Sequence, residues 1–439
     1  MTLFFVGLYN VAMKIHIDLD AFFASAHRTV DRSLEGIPIA VGGRGDGHIF
    51  DPKSFQKALD MHAKGAFVPS ILSSCNSFEK ELDYFKDPDG RVRGILTTAS
   101  YEARRMGVKP PIPIAQALQI CPTLRILRPD FGLYHRLSVA LRHFLELRVP
   151  LLEQFSIDEF FGDVGGWIED VDVPAFIHQL KIEIWEELHL PATIGAAPSK
   201  WTAKLLTDAA KPFGTKVLYA HEIERFVRPL PIEAFAGIGR KLAHRFHAMG
   251  FTTLGDIVDA KAYFMRQVPS MYALYKRVCG IDEEPLALPK GRQSIGVSRT
   301  MDPVVDREEI LRRITILCRH ISFAVMRQGF EPTEFSLVVH YEYGLKAKGE
   351  WRSPRAFAER RFIEAMRTLF SSIDAYPTTH IRFIGISAKA FAHQTRKPLS
   401  LLHYQEDNRG RLLENAMTQL RQKYGLDSLK WGVEMQKFA

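Results

Sequence analysis

Two short apolar stretches, far apart in the chain, each carry a pair of carboxylates. In KIHIDLDAFF (14–23), apolar and polar residues alternate as they do along a strand, and Asp18 stands near its end. The segment FSIDEFFGDV (155–164) is also strand-like and carries Asp158 and Glu159. Clustered carboxylates repel one another and burial raises their pKa values, so a buried cluster of this kind makes physical sense only around a cation.

These carboxylates suggest a metal site for nucleotidyl transfer. Such a transfer must stabilise negative charge on phosphorus oxygens and activate a 3′-hydroxyl, and a pair of Mg²⁺ ions does both. Hard cations prefer carboxylate oxygens, so Asp18, Asp158 and Glu159 are candidate ligands. The alternative is that both acidic pairs are solvated loop ends, but each is followed by two phenylalanines, which favours packed surroundings. Asp20 is predicted to be structural.

The bulk properties limit the class of protein. A chain of 439 residues is too long for one hydrophobic core, so several domains are expected. The net charge of +8 and the pI of about 9.2 favour a polyanionic partner such as nucleic acid or a phospholipid surface. The four cysteines are widely spaced, as in a reducing compartment, and no apolar run is long enough to span a bilayer. A cytoplasmic location is therefore expected.

Six segments, taken in order, are similar to a known family. DLDAFFAS and SIDEFFGDV resemble the two signature segments of Y-family DNA polymerases of the DinB, or polymerase IV, type. The likeness covers about 14–390 and continues through four further segments: TTASYEARRMGV (97–108), IGAAPSKWTAKLLTDAAKPFG (194–214), AGIGRKLAHRFHAMGFTTLGDI (236–257) and RQSIGVSRTM (292–301).

The resemblance implies a multidomain α/β and α+β fold, the right-hand polymerase. It further implies template-directed DNA synthesis past damaged bases. The implied domains are a palm (1–29 and 130–220), fingers (30–129), a helical thumb with a helix-hairpin-helix (221–288), a little finger (291–392) and a C-terminal tail (393–439).

The resemblance also assigns site residues. Asp18, Asp158 and Glu159, with the backbone carbonyl of Leu19, would hold two Mg²⁺ ions, or Mn²⁺ in their place. The incoming nucleotide would contact five side chains, of which the last three would bind its triphosphate: Phe22, Phe23, Tyr101, Arg104 and Lys211.

Four of these five nucleotide-binding assignments have an alternative. Phe23 would be the steric gate that excludes a ribose 2′-hydroxyl, although both phenylalanines could be core aromatics. Arg104 could instead pair with Glu102 on a helix surface, and Lys211 could be a cation favoured by a helix C-terminus.

DNA contacts are implied in the thumb and the little finger. Gly237 and Gly239 would let a hairpin backbone approach a phosphate, although a GxG may be only a tight turn. Residues 292–392 hold 16 Lys and Arg against 11 Asp and Glu, a net +5 (16 − 11). The candidates there for phosphate contacts, each of which could also be part of a solvated charged face, are Arg292, Arg299, Arg352 and Arg355.

Two segments depart from the family. An insertion at about 44–93, acidic and aromatic, is expected in the fingers as a contact surface or a modulator of template entry. The tail carries a degenerate sliding-clamp motif in which Leu399 and Leu401 are the remaining hydrophobic anchors. The expected partners are primer–template DNA, dNTP and a sliding clamp, for a monomer without a membrane. The alternatives are a non-catalytic accessory protein that binds DNA or the clamp, and a metal nuclease.

Overall fold

The computed structural model describes residues 13–43, 47–50, 81–86, 90–287, 291–392 and 401–435. Its internal contacts divide the chain into two units. The first comprises 1–42 and 95–290, and the second comprises 43–94 and 291–439.

The first unit contains two sheets and eleven of the described helices. Its strands are β1 (Lys14–Leu19), β2 (Ile39–Gly43), β3 (Ile95–Ala99), β4 (Ile112–Pro113), β5 (Arg125–Leu127), β6 (Leu151–Gln154), β7 (Glu159–Asp163), β8 (Ala192–Ala197) and β9 (Thr215–Val217). Its helices are α1 (Phe22–Val30), α2 (Tyr101–Arg105), α3 (Ile114–Ile120), α4 (Phe131–Glu146), α5 (Val173–Leu188), α6 (Lys200–Ala210), α7 (Ala220–Val227), α8 (Arg240–Ala248), α9 (Leu254–Asp259), α10 (Lys261–Met265) and α11 (Pro269–Val278).

The larger sheet, here called the palm sheet, has the order β6-β7-β1-β8-β9 and places β1 at its centre. Ile15 and Ile17 are fully buried in a core shared with α4 and α5. His16 and Asp18 alternate with them and contact α6 and the residue that follows it. The predicted strand periodicity of this segment is therefore confirmed. One row of side chains packs into the core, and the other row contacts polar side chains of the α6 segment.

Beside the palm sheet, β4-β3-β2-β5 form a small finger sheet, and α7 to α11 form a separate helical core. Phe235, Phe246 and Phe264 are buried in that core. No described helix is both long and apolar enough to cross a bilayer.

The second unit is an antiparallel sheet with helices on one face. It comprises β10 (Ser294–Val304), α12 (Arg307–Arg327), β11 (Glu331–Tyr341), β12 (Lys346–Arg352), α13 (Glu359–Ile373), β13 (Ile381–Ala392) and α14 (Tyr404–Tyr424). The strand order is β10-β13-β11-β12, and α12 and α13 cover the apolar face.

The insertion differs from its prediction. Its described residues belong to the second unit, not to the finger sheet from which it emerges. Ile49 and Phe50 are buried in the core between the sheet and α12, and Arg312 donates a hydrogen bond of 2.8 Å to the Phe50 carbonyl. Arg93 pairs with Asp302 at 2.7 Å. Burial of apolar side chains explains the docking, because the second unit supplies the apolar surface they need.

The tail is also part of the second unit. Arg319, which is 1% exposed, pairs with Asp427 at 2.8 Å and with Glu434 at 2.9 Å. Arg421 pairs with Glu359 at 2.6 Å, again with both side chains buried. Ions taken out of water this completely need partners, so these pairs fix where the tail packs.

Candidate active site

Asp18, Asp158 and Glu159 are neighbours at the end of the paired strands β1 and β7. Asp18 lies opposite Glu159 in the antiparallel register. Asp158 immediately precedes β7, and its carbonyl accepts a hydrogen bond of 3.2 Å from the Leu19 N–H. The sequence placed Asp158 within a strand. It instead stands in a turn, where the Ser156 hydroxyl contacts its carboxylate at 2.5 Å and receives the N–H groups of Asp158 and Glu159.

Two lysines of the α6 segment neutralise part of this charge. The Lys211 ammonium lies 2.7 Å from the Asp18 carboxylate, and the Lys204 ammonium lies 2.7 Å from that of Glu159. Lys204 belongs to α6, and Lys211 is the residue that caps its C-terminal end. Behind Glu159 lies His16, which is fully buried, with its Nε2 at 3.7 Å from the carboxylate.

The environment separates the pKa values of the carboxylates. Burial raises the pKa of Asp18 to about 7, although Lys211 opposes the shift. Burial also raises the pKa of Asp158. Burial acts the same way on Glu159, but the polar contact with His16 at 3.7 Å and the hydrogen bond and charge of Lys204 outweigh it and lower the pKa of Glu159 to about 2. Burial lowers the pKa of His16 to about 4, so its imidazole is neutral at pH 7.

The donor set suits a divalent cation. Asp18 is buried and Asp158 partly so, and like-charge repulsion adds to the raised pKa of both: Glu159 and Asp158 act on Asp18, and Glu159 acts on Asp158. Such repulsion is the signature of a site short of positive charge. In the described part of the chain no three such side chains already converge as a metal cage. The two lysines hold the carboxylates of Asp18 and Glu159 in this structure, where a bound ion would compete with them.

Asp20 is a hydrogen-bonded hub and not part of the cluster. It is 2% exposed, and its carboxylate accepts hydrogen bonds from the Thr193 hydroxyl at 2.9 and 3.0 Å. The Phe213 N–H donates at 2.7 Å and the Tyr101 hydroxyl at 3.2 Å. The structural role predicted for Asp20 agrees with this arrangement, which ties the finger helix α2 and the loop after Lys211 to the end of β1.

The predicted triphosphate ligands share this region. The Tyr101 hydroxyl bonds to Asp20, and burial raises the pKa of Tyr101 to about 12, so it is a neutral donor. The Arg104 guanidinium lies over the Tyr101 ring at 4.8 Å. Glu102 pairs with Arg28 at 2.9 Å, so the alternative pairing of Arg104 with Glu102 is not formed. A cavity of about 390 Å³ adjoins Tyr101 and Asp20, but the metal-ligand candidates do not line it.

The two phenylalanines after the first acidic pair have different surroundings. The Phe22 ring is buried in the core beneath the palm sheet, which agrees with the alternative that Phe22 is a core aromatic. The Phe23 ring is only partly buried. Helix α1 starts after Ala21, which has left-handed φ and ψ of 46° and provides no side-chain cap. The first N–H groups of α1 are therefore suited to an anion.

The second unit offers an open sheet face. Residues opposite the helices form cross-strand rows such as Ser298, Gly385, Val338 and Lys348. The face is polar with small side chains, as suits a phosphate backbone. On the edge strand, the exposed Arg352 pairs with Glu334.

The other predicted arginines are placed differently. Arg355 is engaged by Glu406 at 3.0 Å and by Asp407, so its assignment as a phosphate contact is corrected: the tail occupies its guanidinium. Arg299 lies opposite Ile384, a core residue, and so faces the helices. Arg292 precedes β10 and is half-buried.

The two glycines before α8, Gly237 and Gly239, differ in backbone conformation. Gly237 has a φ of +102°, so the turn itself requires glycine. Gly239 has an ordinary φ, and a Cβ there would contact nothing in the described structure. Of the clamp-motif residues, Leu399 lies outside the described residues and Leu401 begins a short 3₁₀ turn.

Sequence reasoning missed several site residues. Lys204 could have been found, because helical spacing places it on the same face as Lys211. His16 and Thr193 carry no sequence signal, since each contacts the site through a partner from a distant element.

A palm sheet with clustered carboxylates, beside a finger sheet and a helical core, is the architecture of right-hand polymerases. Two solved structures share the fold. One is a chimera of the Y-family polymerases Dbh and Dpo4, with a TM-score of 0.69 and 22% identity over 86% of this chain and 99% of that chain. The other is the insertion ternary complex of Dbh DNA polymerase, with a TM-score of 0.53 and 22% identity over the same shares of the two chains.

Family models identify the chain. The impB/mucB/samB family matches residues 17–208, and the C-terminal domain of that family matches residues 292–401. The DNA polymerase IV of Alkaliphilus oremlandii is 28% identical over 437 residues, 94% of this chain and 96% of the relative. DNA polymerase IV 1 of Bacillus subtilis is 26% identical over 435 residues, 96% and 93% respectively. The chain belongs to the impB/mucB/samB family, the DinB-type Y-family DNA polymerases.

Proposed function

We propose that this DNA-directed DNA polymerase performs translesion synthesis by two-metal nucleotidyl transfer. The observation that carries the proposal is the position of Asp18 on β1 opposite Glu159 on β7, with Asp158 just before β7 and Lys211 paired to Asp18. Two Mg²⁺ ions, when bound, would neutralise charge on the phosphoryl oxygens and make the primer hydroxyl more acidic. Mn²⁺ is an alternative, and the Leu19 carbonyl is a further candidate ligand.

The surrounding residues would orient the nucleotide. Tyr101, Arg104 and Lys211 supply the phenol, guanidinium and ammonium donors that a triphosphate needs. The N–H groups of Phe22 and Phe23, the first two residues of α1, would add to them. Phe23, the less buried of the two phenylalanines, would exclude a 2′-hydroxyl.

The proposed partners are primer–template DNA and dNTP. The DNA would be held without sequence preference by the open sheet face, including Arg352, and by the backbone at Gly239. A sliding clamp docking at Leu399 and Leu401, a monomeric state and a cytoplasmic location remain proposals. The accessory alternative is less favoured, because a non-catalytic protein has no need of a buried carboxylate cluster.

Primer extension with Mg²⁺ and dNTPs tests the proposal, on an intact template and on one with an abasic site. The parent is expected to extend both primers, and the double variant Asp158→Ala, Glu159→Ala is expected to extend neither. Asp163→Asn changes a carboxylate at the other end of β7 and serves as the matched control. Extension by the double variant at the parent rate would disprove the ligand assignment. A folded, DNA-binding parent that extends neither primer would favour the accessory function.

A further inference from the structure

Tyr134 on α4 packs against the residue proposed as the steric gate. Its ring stacks on Phe23 with the centroids 4.3 Å apart and the planes at 14°. Tyr134 is fully buried, whereas Phe23 is only partly so. One face of the Phe23 ring is therefore fixed by an immobile neighbour.

Tyr134 is in turn fixed by the helix that carries Phe23. Its hydroxyl forms a 2.9 Å hydrogen bond with Nε2 of His27, one helical turn after Phe23 on α1. Phe131, one turn before Tyr134 on α4, meets the Phe23 ring edge-on at 6.3 Å and the Tyr134 ring at 5.8 Å. Phe23 and His27 of α1 thus both contact Tyr134 of α4, and the hydrogen bond from its hydroxyl restrains the position of the Tyr134 ring.

We propose that Tyr134 is a positioning residue for sugar selection, which acts by preventing the Phe23 ring from yielding to a ribose 2′-hydroxyl. The inference rests on the proposed function, in which Phe23 faces the sugar. A gate excludes a hydroxyl only if moving its ring costs free energy. Here the cost is the loss of the aromatic stack.

The size of the effect follows from the stack. Aromatic pairs contribute about 0.5–1.5 kcal/mol beyond their buried area, which corresponds to a factor of roughly 2–13. Removing the Tyr134 ring is therefore expected to lower discrimination against ribonucleotides by about 3- to 10-fold. Removing only its hydroxyl keeps the stack and is expected to change discrimination by no more than about twofold.

The test compares kcat/KM for dNTP with that for the matching rNTP in single-nucleotide insertion by the full-length protein. The variants are Tyr134→Leu, Tyr134→Phe and Phe23→Val, the last as the reference for an opened gate. We expect the discrimination ratio to fall strongly in Phe23→Val, by about 3- to 10-fold in Tyr134→Leu and little in Tyr134→Phe. His27→Ala, which frees the hydroxyl without removing either ring, is expected to give a smaller fall of the same sign and covers the case in which Tyr134→Leu fails to fold.

Two outcomes overturn the inference and are distinguishable. If Phe23→Val lowers the ratio and Tyr134→Leu does not, Phe23 is the gate but Tyr134 does not hold it. If Phe23→Val itself leaves the ratio unchanged while dNTPs are still incorporated, Phe23 is not the gate, and that part of the proposed function fails with the inference.

Discussion

Metal binding is expected to depend on pH through Asp18. Its pKa in the metal-free protein is raised to about 7, chiefly by burial, whereas that of Glu159 is lowered to about 2. A metal ion binds only the deprotonated carboxylate, so protons compete for Asp18 between pH 6 and 8. With a pKa of about 7, the deprotonated fraction is roughly tenfold smaller at pH 6 than at pH 8, so the apparent affinity for Mg²⁺ is expected to fall about tenfold, or about 1.4 kcal/mol.

The same shift has a defined sign for stability. Because the folded-state pKa of Asp18 lies above its unfolded value of 3.8, its protonation favours the folded metal-free protein. That contribution is fully present below about pH 3.8 and is lost as the pH rises through about 7. Bound metal would replace the proton at higher pH.

Isothermal titration calorimetry with Mg²⁺ at pH 6, 7 and 8, in buffers of different ionisation enthalpy, measures both affinity and proton release. Asp18→Asn is expected to abolish the pH dependence along with most of the affinity. Glu159→Gln is expected to weaken binding equally at all three pH values and to keep the slope, because Glu159 does not titrate in this range. A pH-independent affinity in the parent, or an undiminished slope in Asp18→Asn, would refute the reasoning.

Three further outcomes are expected. Arg319→Met should destabilise the second unit by about 3–5 kcal/mol, because it leaves the buried Glu434 without its cation and Asp427 with Lys430 at 3.8 Å; Arg360→Met, at an exposed pair, should cost less than about 1 kcal/mol, and urea unfolding compares the two. Arg352→Ala should reduce the slope of log affinity for primer–template DNA against log salt by about one, whereas Arg355→Ala should leave it unchanged; equal slopes in fluorescence anisotropy would contradict the placement of these residues. Asp20→Asn should raise the KM for dNTP by about tenfold with a smaller change in kcat, since an amide cannot accept all the hydrogen bonds of the carboxylate; an unchanged KM in steady-state insertion assays would remove its positioning role.

Strands whose two faces follow from alternating apolar and polar residues could be predicted from the sequence. The alternation of Ile15 and Ile17 with His16 and Asp18 predicted both a strand and its two faces, because strand geometry alone decides them. The neighbouring position of Asp18 and Glu159 came from the family resemblance and is found in the register.

Contacts between distant segments could not be predicted in this way. The charge of Arg355 indicates a need for an anion but not whether a phosphate or Asp407 supplies it. Phe50 lies in a segment without periodicity, so nothing in its neighbours reveals the core that receives it. The contacts of Phe23 and His27 with Tyr134 depend on the packing of α1 against α4, and the sequence of neither helix alone predicts that packing.

The docking of the insertion has a consequence for biosynthesis. Phe50 leaves the ribosome 262 residues before Arg312, the residue that binds its carbonyl. At a translation rate of roughly 5–20 residues per second, the interval is about 13–52 s. During that time the first unit can form while Ile49 and Phe50 have no core to enter. The nascent chain must keep these apolar side chains from aggregating or binding elsewhere, which makes this stretch a natural point of contact for chaperones.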